Sequence, residues 1–542
     1  MERTKIRCNR LISDTISLPY AVDPSEAFEI VRKKLRRLTQ VNNGDISFSV
    51  YRRSVDARHK DDIRFVYTIL AESAEGFKID AARIAKEGFR TDDSKNIEFE
   101  FGNEKSEHRP IVVGCGPAGM FAALILAEQG YKPILIERGE NLKNRISTVD
   151  SFFRTGALNT ESNVMFGAGG AGTFSDGKLV TRINDPLCRY VIERLCDFGA
   201  PSEIRYMAKP HIGTDLLQDV VSNLLDKIVQ YGGEIHYNCT LKAMTENDDG
   251  SITAHTSLGD FCGNSIVLAI GHSARDTYSY LNDNGYSMIA KPFSVGVRIE
   301  HLRESIEKGL YGDHAGDPLL GAAEYALSDT KNGRGVYTFC MCPGGEVIAA
   351  SSEEGGLVVN GMSRHARDGV NSNSAVAVSI RPDDYDGTPM GAVEYQRALE
   401  RKAFELGGGV YTAPIELLGD FLSGKKSSLK APSKIQPTYT RGAVKVCDIS
   451  EIFPAYVNDE LRHGFASFAK KLPGFDEYDA VMTAVESRTS APIRILRNDS
   501  GIACGKNCIY PCGEGAGYAG GITSAAVDGI RTAIAVMKRF AP

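Results

Sequence analysis

PIVVGCGPAGMFAALILAEQGYKPILIERG, residues 110–139, sets the reading of the whole chain. An apolar strand over 110–113 leads into Gly114-Cys115-Gly116-Pro117-Ala118-Gly119. In such a turn the first glycine permits a tight reversal. The second leaves room for a pyrophosphate against the backbone, and the third lets the helix pack close on the strand. A helix over 117–129 aims its N-terminal N–H groups at that phosphate. Glu137 stands 21 residues after Gly116, at the end of the second strand, where an acid accepts from ribose hydroxyls. Strand, helix and acid at this offset predict a dinucleotide site. Arg138, directly after the acid, suits FAD better than NAD.

The second half of that site is expected almost 400 residues downstream. Tyr510-Pro511-Cys512-Gly513-Glu514-Gly515-Ala516-Gly517 is another glycine turn carrying an acid, followed by a helix starting near Gly520-Gly521-Ile522. FAD is long, so distant parts of the chain must hold its two ends. The turn suits the ribityl and phosphate groups, and the positive end of the helix suits a reduced, anionic flavin. Leu268-Ala269-Ile270-Gly271-His272-Ser273 reads as a strand ending in a glycine crossing.

These three elements resemble the GxGxxG, ATG-like and GD-like motifs of the glutathione-reductase-type FAD superfamily. Four longer stretches narrow the resemblance: AGGAGTFSDGKL (168–179), KPHIGTD (209–215), TFCMCPGG (338–345) and ESRTSAP (486–492). They resemble the bacterial and plastid family of uncharacterised FAD-dependent dehydrogenases, over nearly the whole chain. One departure is Glu514, where the superfamily favours Asp. The resemblance implies an α/β fold: a Rossmann-type, glutathione-reductase-like FAD-binding domain with an inserted mixed α+β substrate or cap domain. The expected bounds are 109–289 plus 500–542 for the first and 290–499 for the second.

Residues 1–108 read as a separate α+β domain. IRCNRLIS, ISFSVYRRSV and IRFVYTILA read as strands, and PSEAFEIVRKKLRRL has apolar residues at helical spacing. IDAARIAKEG and IEFEF would complete a ferredoxin-like plait, with NEKSEHR (103–109) as a polar linker. Residues 290–500 read as a mixed stretch of short strands and loops.

Candidate cofactor residues are Gly114, Gly116, Pro117, Ala118, Gly119, Glu137, Arg138, Gly169, Gly170, Gly172, Thr173, Ala269, Gly271, Gly513, Glu514, Gly521 and Ile522. Candidate catalytic residues are Arg488 and His211. Arg488, with Arg494 nearby, stands where the cap rejoins the FAD domain. It is read either as a clamp for a substrate carboxylate or phosphate or as an interdomain ion pair. His211 is read as a general acid near pH 7 or as a packed imidazole. Cys340 and Cys342 are read as structural thiols, with a redox pair as the alternative. Cys504, Cys508 and Cys512 lack a fourth partner, so no metal is expected. Tyr518 is read as covering the flavin or as an ordinary turn residue.

No second GxGxxG with a trailing acid occurs, so no resident pyridine-nucleotide domain is expected; the electron partner is left open, with transient docking of NAD(P)H as one option. The expected activity is hydride transfer between flavin and a small organic substrate, either dehydrogenation or reduction of a C=C or C=N bond, with an anionic substrate if Arg488 is a clamp. The alternative is a flavoprotein docking to RNA through its first domain. Residues 32–64 hold ten Lys/Arg against four acids, yet residues 1–108 carry 20 basic and 19 acidic residues. The bulk numbers point the same way. Net charge is −6 and the 542 residues include 55 glycines, so no global field draws the chain to nucleic acid or membrane. The charged N-terminus lacks a signal-peptide core, and the 12 cysteines follow no secreted pattern. A cytoplasmic location is expected.

Overall fold

The computed structural model describes residues 5–38, 45–92, 99–331, 333–424 and 430–542. The chain forms two compact units. One comprises Met1–Glu98, Pro201–Pro210 and Glu307–Ala323; the other comprises Phe99–Ala200, His211–Ile306 and Glu324–Pro542.

In the first unit the 17-residue strand Arg64–Asp80 is the axis of an antiparallel sheet. It pairs with Lys5–Ser13, Ile16–Pro19 and Ile46–Asp56, and Lys5–Ser13 pairs in turn with Phe89–Thr91. The helix Ser25–Leu35 buries Ala27, Val31 and Leu35, the apolar stripe its spacing predicts. The last strand falls earlier than IEFEF. The helix Ala81–Lys86 stops at Gly88, whose φ of +77° turns the chain straight back into Phe89–Thr91. Of IEFEF, residues 97 and 98 lie outside the described residues and 99–101 form no strand. The basic run has local acid partners: Arg32 pairs with Glu29, Arg58 with Asp56 and Arg64 with Asp62. This is the pattern of a solvated face, and it gives the RNA alternative no support.

The second unit contains two large sheets. The first is parallel, ordered Ile509–Pro511, Ile266–Leu268, Ile111–Val113, Ile134–Ile136, Glu234–His236. Its four leading strands are buried at every residue, so they read as continuous apolar runs rather than alternations. The helix Pro117–Glu128 is apolar around its whole circumference and buries every residue from Ala118 to Ala127. The C-terminal helix Ile522–Met537 lies against it, so close that a Cβ on Gly529 would stand 2.1 Å from the Ala118 carbonyl.

The second sheet has seven strands: Ser328–Lys331, Arg334–Cys342, Asn371–Ile380, Phe293–Leu302, Val481–Glu486, Ala413–Leu417 and Val444–Val446. This corrects the expectation of short strands and loops over 290–500. Phe293–Leu302 and Asn371–Ile380 are ten residues each and pair over their full length. Their buried Arg298, Glu300, His301, Asn371 and Asn373 hide the apolar pattern that marks a strand. The chain enters this region after Met288–Ala290 and returns through Ile493–Ile495, and those two strands pair antiparallel. The polar stretch near 103 is docked rather than free. Gly102 N donates to the Met537 carbonyl (2.8 Å), and Arg539 Nε donates to Glu104 Oε2 (2.9 Å). Among the described residues no helix is long and apolar enough to cross a membrane.

Candidate functional site

The carboxyl ends of the parallel strands open on a cavity of about 340 Å³, within the range of small-molecule and cofactor sites. Of the sequence-predicted cofactor residues, Gly114, Gly116, Pro117, Ala118, Glu137, Arg138, Gly170, Gly172, Ala269, Gly271, Glu514, Gly521 and Ile522 line it. Gly119, Gly169, Thr173 and Gly513 stand behind the wall. They are packing positions: a Cβ on Gly119 would lie 1.8 Å from the Gly114 carbonyl, and one on Gly513 would lie 2.6 Å from Ala118 Cβ.

The two glycines that matter most differ in what surrounds them. Gly114 has φ +99°, and a Cβ there would meet the Ala269 carbonyl at 2.3 Å. Only glycine fits that turn. Gly116 has φ −82°, and the nearest atom to its missing Cβ is Gly170 Cα at 3.9 Å. Protein packing leaves that space empty on the cavity side. Gly116→Ala is therefore expected to change the stability of the cofactor-free protein by less than about 1 kcal/mol, yet weaken FAD binding about tenfold or more, a steric cost of at least about 1.4 kcal/mol. Gly119→Ala is expected to do the reverse and destabilise the cofactor-free fold. Denaturant midpoints and FAD titrations on the two variants check the pair; equal effects of both would overturn this reading.

Two helix N-termini face the cavity without side-chain caps, at Gly116 and at Gly521. Their free N–H groups and dipoles favour negative charge. Glu137 organises the opposite side. Its Oε2 accepts from Cys115 N (2.7 Å) and its Oε1 from Gly139 N and Gly167 N (2.9 Å each). The carboxylate thus ties three loops together and keeps one acceptor position on Oε2 for a ligand hydroxyl. Arg138 lies over the Phe166 ring and pairs with Asp276.

Residues absent from the sequence reading also shape the wall. Arg145 is fully buried and donates to the carbonyls of Asn163, Val164, Gly167 and Ala168, which fixes the glycine loop. Burial pushes its guanidinium down to about 10 against the pull of Glu137. Asp528 accepts from Gly513 N (2.7 Å) and pairs with Arg497, which sets the C-terminal turn. Nothing local in the sequence marks either residue, because both act on backbone supplied by other segments.

Further along the wall lie His272, Ser273, Asp176, Lys178, Phe339, Cys340, Asn360, Arg488 and Thr489. Asp176 is paired with Lys178 (2.7 Å) and Arg367. Burial works against its charge, but the two cations hold it at about 2. His272 Nδ1 stands 3.5 Å from Glu514 Oε1, and its Nε2 is buried without a partner. Burial, with Arg488 and Arg275 close by, pushes this imidazole down to about 3, so it is neutral at pH 7. Burial pushes the Glu514 carboxyl up to about 7 against the pull of Lys291.

That last shift fixes a sign. An unfolded Glu titrates near 4.3, so between about pH 4.3 and 7 the folded chain holds more protons than the unfolded one. Stability contributed at Glu514 therefore falls as pH rises through this window. In the cofactor-free protein, Glu514→Gln is expected to gain stability relative to wild type from pH 5 to pH 7.5. A flat difference across that range would rule out the raised carboxyl.

Arg488 borders the cavity with four of its five donors engaged. Nε and Nη2 donate to Glu400 Oε1 and Oε2 (3.1 and 2.9 Å), and Nη1 donates to Ser273 and Ser352. Of the two readings left open by the sequence, these bonds describe the ion pair between segments. Arg494 Nε donates to the Gly517 carbonyl (3.2 Å) and supports the turn. His211 is off the cavity wall. Its Nε2 meets the His365 carbonyl (3.1 Å), its ring stacks on His365, and burial pushes it down to about 4. The packed imidazole is the reading that fits. Tyr518 packs under Arg497, 3.7 Å from guanidinium to ring centre, and donates to the Ile495 carbonyl, away from the cavity.

Residues 292–489 match the family described as FAD-dependent protein, C-terminal domain-like, and residues 14–72 match a domain of unknown function. An uncharacterized protein of Clostridium beijerinckii is 45% identical over 516 residues, which is 94% of this chain and 96% of that one. This chain belongs to one family with that protein, and its residues 292–489 carry the FAD-dependent C-terminal domain. Among solved structures it is distantly similar to glycine oxidase from Geobacillus kaustophilus (10% identity, 79% of this chain and 93% of that chain, TM-score 0.34). It is also distantly similar to CtdE in complex with FAD and substrate 4 (11% identity, 79% and 80%, TM-score 0.32).

The cofactor of this FAD-dependent family is FAD, and the cavity fits it. The space in front of Gly116, the two uncapped helix ends and the free acceptor position on Glu137 suit, in turn, a pyrophosphate and a ribose.

Proposed function

We propose that the chain is a flavin oxidoreductase that passes hydride between FAD and a small organic substrate. The observation that carries this reading is the cavity itself, where glycine-bearing segments from 113–118, 269–273 and 514–522 converge. Bound there, FAD would supply the hydride-transfer chemistry. Gly116 and Gly170 would give the pyrophosphate its close approach, Glu137 would take a ribose hydroxyl, and the uncapped Gly521 helix end would favour negative charge on the reduced flavin.

The order of the parallel sheet supports a Rossmann-type FAD domain. The paired strands Met288–Ala290 and Ile493–Ile495 support an inserted substrate domain between them, built on the seven-stranded sheet. The order Phe89–Thr91, Lys5–Ser13, Arg64–Asp80, Ile46–Asp56, with every neighbour antiparallel, supports a ferredoxin-like first domain.

The purified protein is expected to be yellow and to release FAD, not FMN, on denaturation. A colourless protein that cannot be reconstituted with FAD would overturn the proposal. Anaerobic mixing with NADH, NADPH and reduced ferredoxin then identifies the electron donor, and reoxidation by a panel of small carboxylates and phosphates identifies the substrate class. Reoxidation by oxygen or dyes alone would argue against a small organic substrate.

A further inference from the structure

Two thiols on the cavity side of the seven-stranded sheet have no part in holding FAD. The strand Arg334–Cys342 loses its register with Asn371–Ile380 between Phe339 and Cys342. At that break Cys340 takes φ +44°, a left-handed conformation that strains a residue with a Cβ. The distortion places Cys340 on the cavity wall beside Phe339 and Asn360. Arg298 holds it there, with Nη1 donating to the Cys340 carbonyl (2.8 Å) and Nη2 to Asn360 Oδ1 (2.7 Å). Cys342 is fully buried behind it. Its S–H donates to the Cys340 carbonyl (3.3 Å), two residues back along the strand.

The charges facing Cys340 are Arg298 and Lys178, which favour a thiolate, and Asp176 and Glu486, which oppose it. The coupled Cys342 thiol and the two cations outweigh burial and lower the Cys340 thiol, while the same coupling raises that of Cys342. A strained, cavity-facing sulfur thus sits next to a protonated one.

We propose that Cys340 and Cys342 form a redox-active dithiol on the wall of the FAD cavity, with Cys340 as the nucleophilic thiolate and Cys342 as its thiol partner. Oxidation forms one S–S bond. The Cys340 thiolate gives up its charge, Cys342 gives up its S–H proton, and two electrons with that proton pass to oxidised flavin, which is thereby reduced by one hydride equivalent. The reverse transfer restores the thiolate and the thiol. Only the identity of the acceptor rests on the FAD reading; the reactivity of the sulfurs does not.

The test uses the full-length protein, both FAD-loaded and stripped of FAD, with cofactor content measured by absorbance after denaturation. Iodoacetamide labelling of Cys340 is followed from pH 5.5 to 9 by peptide mass spectrometry. In the stripped protein the rate is expected to stay level down to about pH 7, where a free thiol titrating near 8.5 slows about tenfold per pH unit. Bound FAD is expected to slow it at least about tenfold by covering the sulfur. Diamide treatment is expected to give a peptide cross-link between Cys340 and Cys342, lighter by two hydrogens, in wild type but not in Cys342→Ser. A free-thiol pH curve, a buried unreactive Cys340, no protection by bound FAD, or oxidation that spares this pair would each overturn the proposal. A protein that binds no FAD yet shows the level rate and the cross-link would instead refute the cofactor reading and leave the dithiol standing.

Discussion

Glu400→Ala is expected to cost about 3–5 kcal/mol of stability, the range for removing one partner of a buried ion pair. Glu400 lies on the helix Pro389–Gly407 and is 1% exposed. It receives two guanidiniums: Arg275 through Nη1 and Nη2 (2.8 and 2.7 Å) and Arg488 through Nε and Nη2 (3.1 and 2.9 Å). Ser487 Oγ donates a fifth bond (2.7 Å). Without the carboxylate, two buried cations face each other, and Glu353, 2.6 Å from Arg275 Nη1, is left to balance them.

The pH dependence carries the same signature. Burial opposes the Glu400 charge, but Arg275 and Arg488 outweigh it and hold the carboxyl well below the usual range. With its folded value below the unfolded value of about 4.3, its contribution is complete above that pH and is lost as pH falls toward the folded value. The stability gap between wild type and variant, read from denaturant midpoints, is expected to be constant from pH 7 to 5 and to shrink below pH 4.5. A gap under 1 kcal/mol at neutral pH, or one unchanged at pH 3, would show that the cluster is no tie between segments.

Glu137→Ala is expected to lower FAD affinity by about 100-fold or more, and to weaken the cofactor-free fold as well. The ribose contact is one part of this. The larger part is the three backbone N–H groups of Cys115, Gly139 and Gly167, each left buried and unsatisfied at about 1–3 kcal/mol. Arg145 would also lose its nearest opposing charge. Glu137→Gln should keep the shape but turn an amide N–H₂ toward at least one of those donors, so it is expected to fold better than the Ala variant while still losing cofactor. The spectrum of the FAD that remains should be normal, because the pyrophosphate and the ribityl chain separate that ribose from the ring. Equal occupancy in wild type and both variants would remove Glu137 from the site.

What the sequence disclosed follows from where each constraint acts. The turn at 114–119 and the segment around Gly521 are legible because a glycine requirement is local and a βα junction has a fixed spacing. The Arg275–Glu400–Arg488 cluster is not legible, because its members stand 125 and 88 residues apart and only folding makes them neighbours. Arg145 escapes for a related reason: its partners are carbonyls, which carry no sequence identity. The seven-stranded sheet was obscured by its own buried polar residues, such as Glu300, which accepts from Asn371 and Thr438. The end of the first domain's sheet was misplaced because a three-residue strand, Phe89–Thr91, is too short to show a period.

The cavity wall runs in sequence from Val113 to Ala525. A chain elongating at 5–20 residues per second exposes its first phosphate-facing turn roughly 20–80 s before the segment that closes the site is made. Cofactor loading therefore belongs to the finished polypeptide, not to the nascent one. During that delay the helix Pro117–Glu128, apolar on all sides, lacks the Ile522–Met537 helix that covers it. The newborn protein thus passes through a stage in which it needs shelter from its neighbours, and a product halted before residue 522 would leave that helix permanently bare and aggregate.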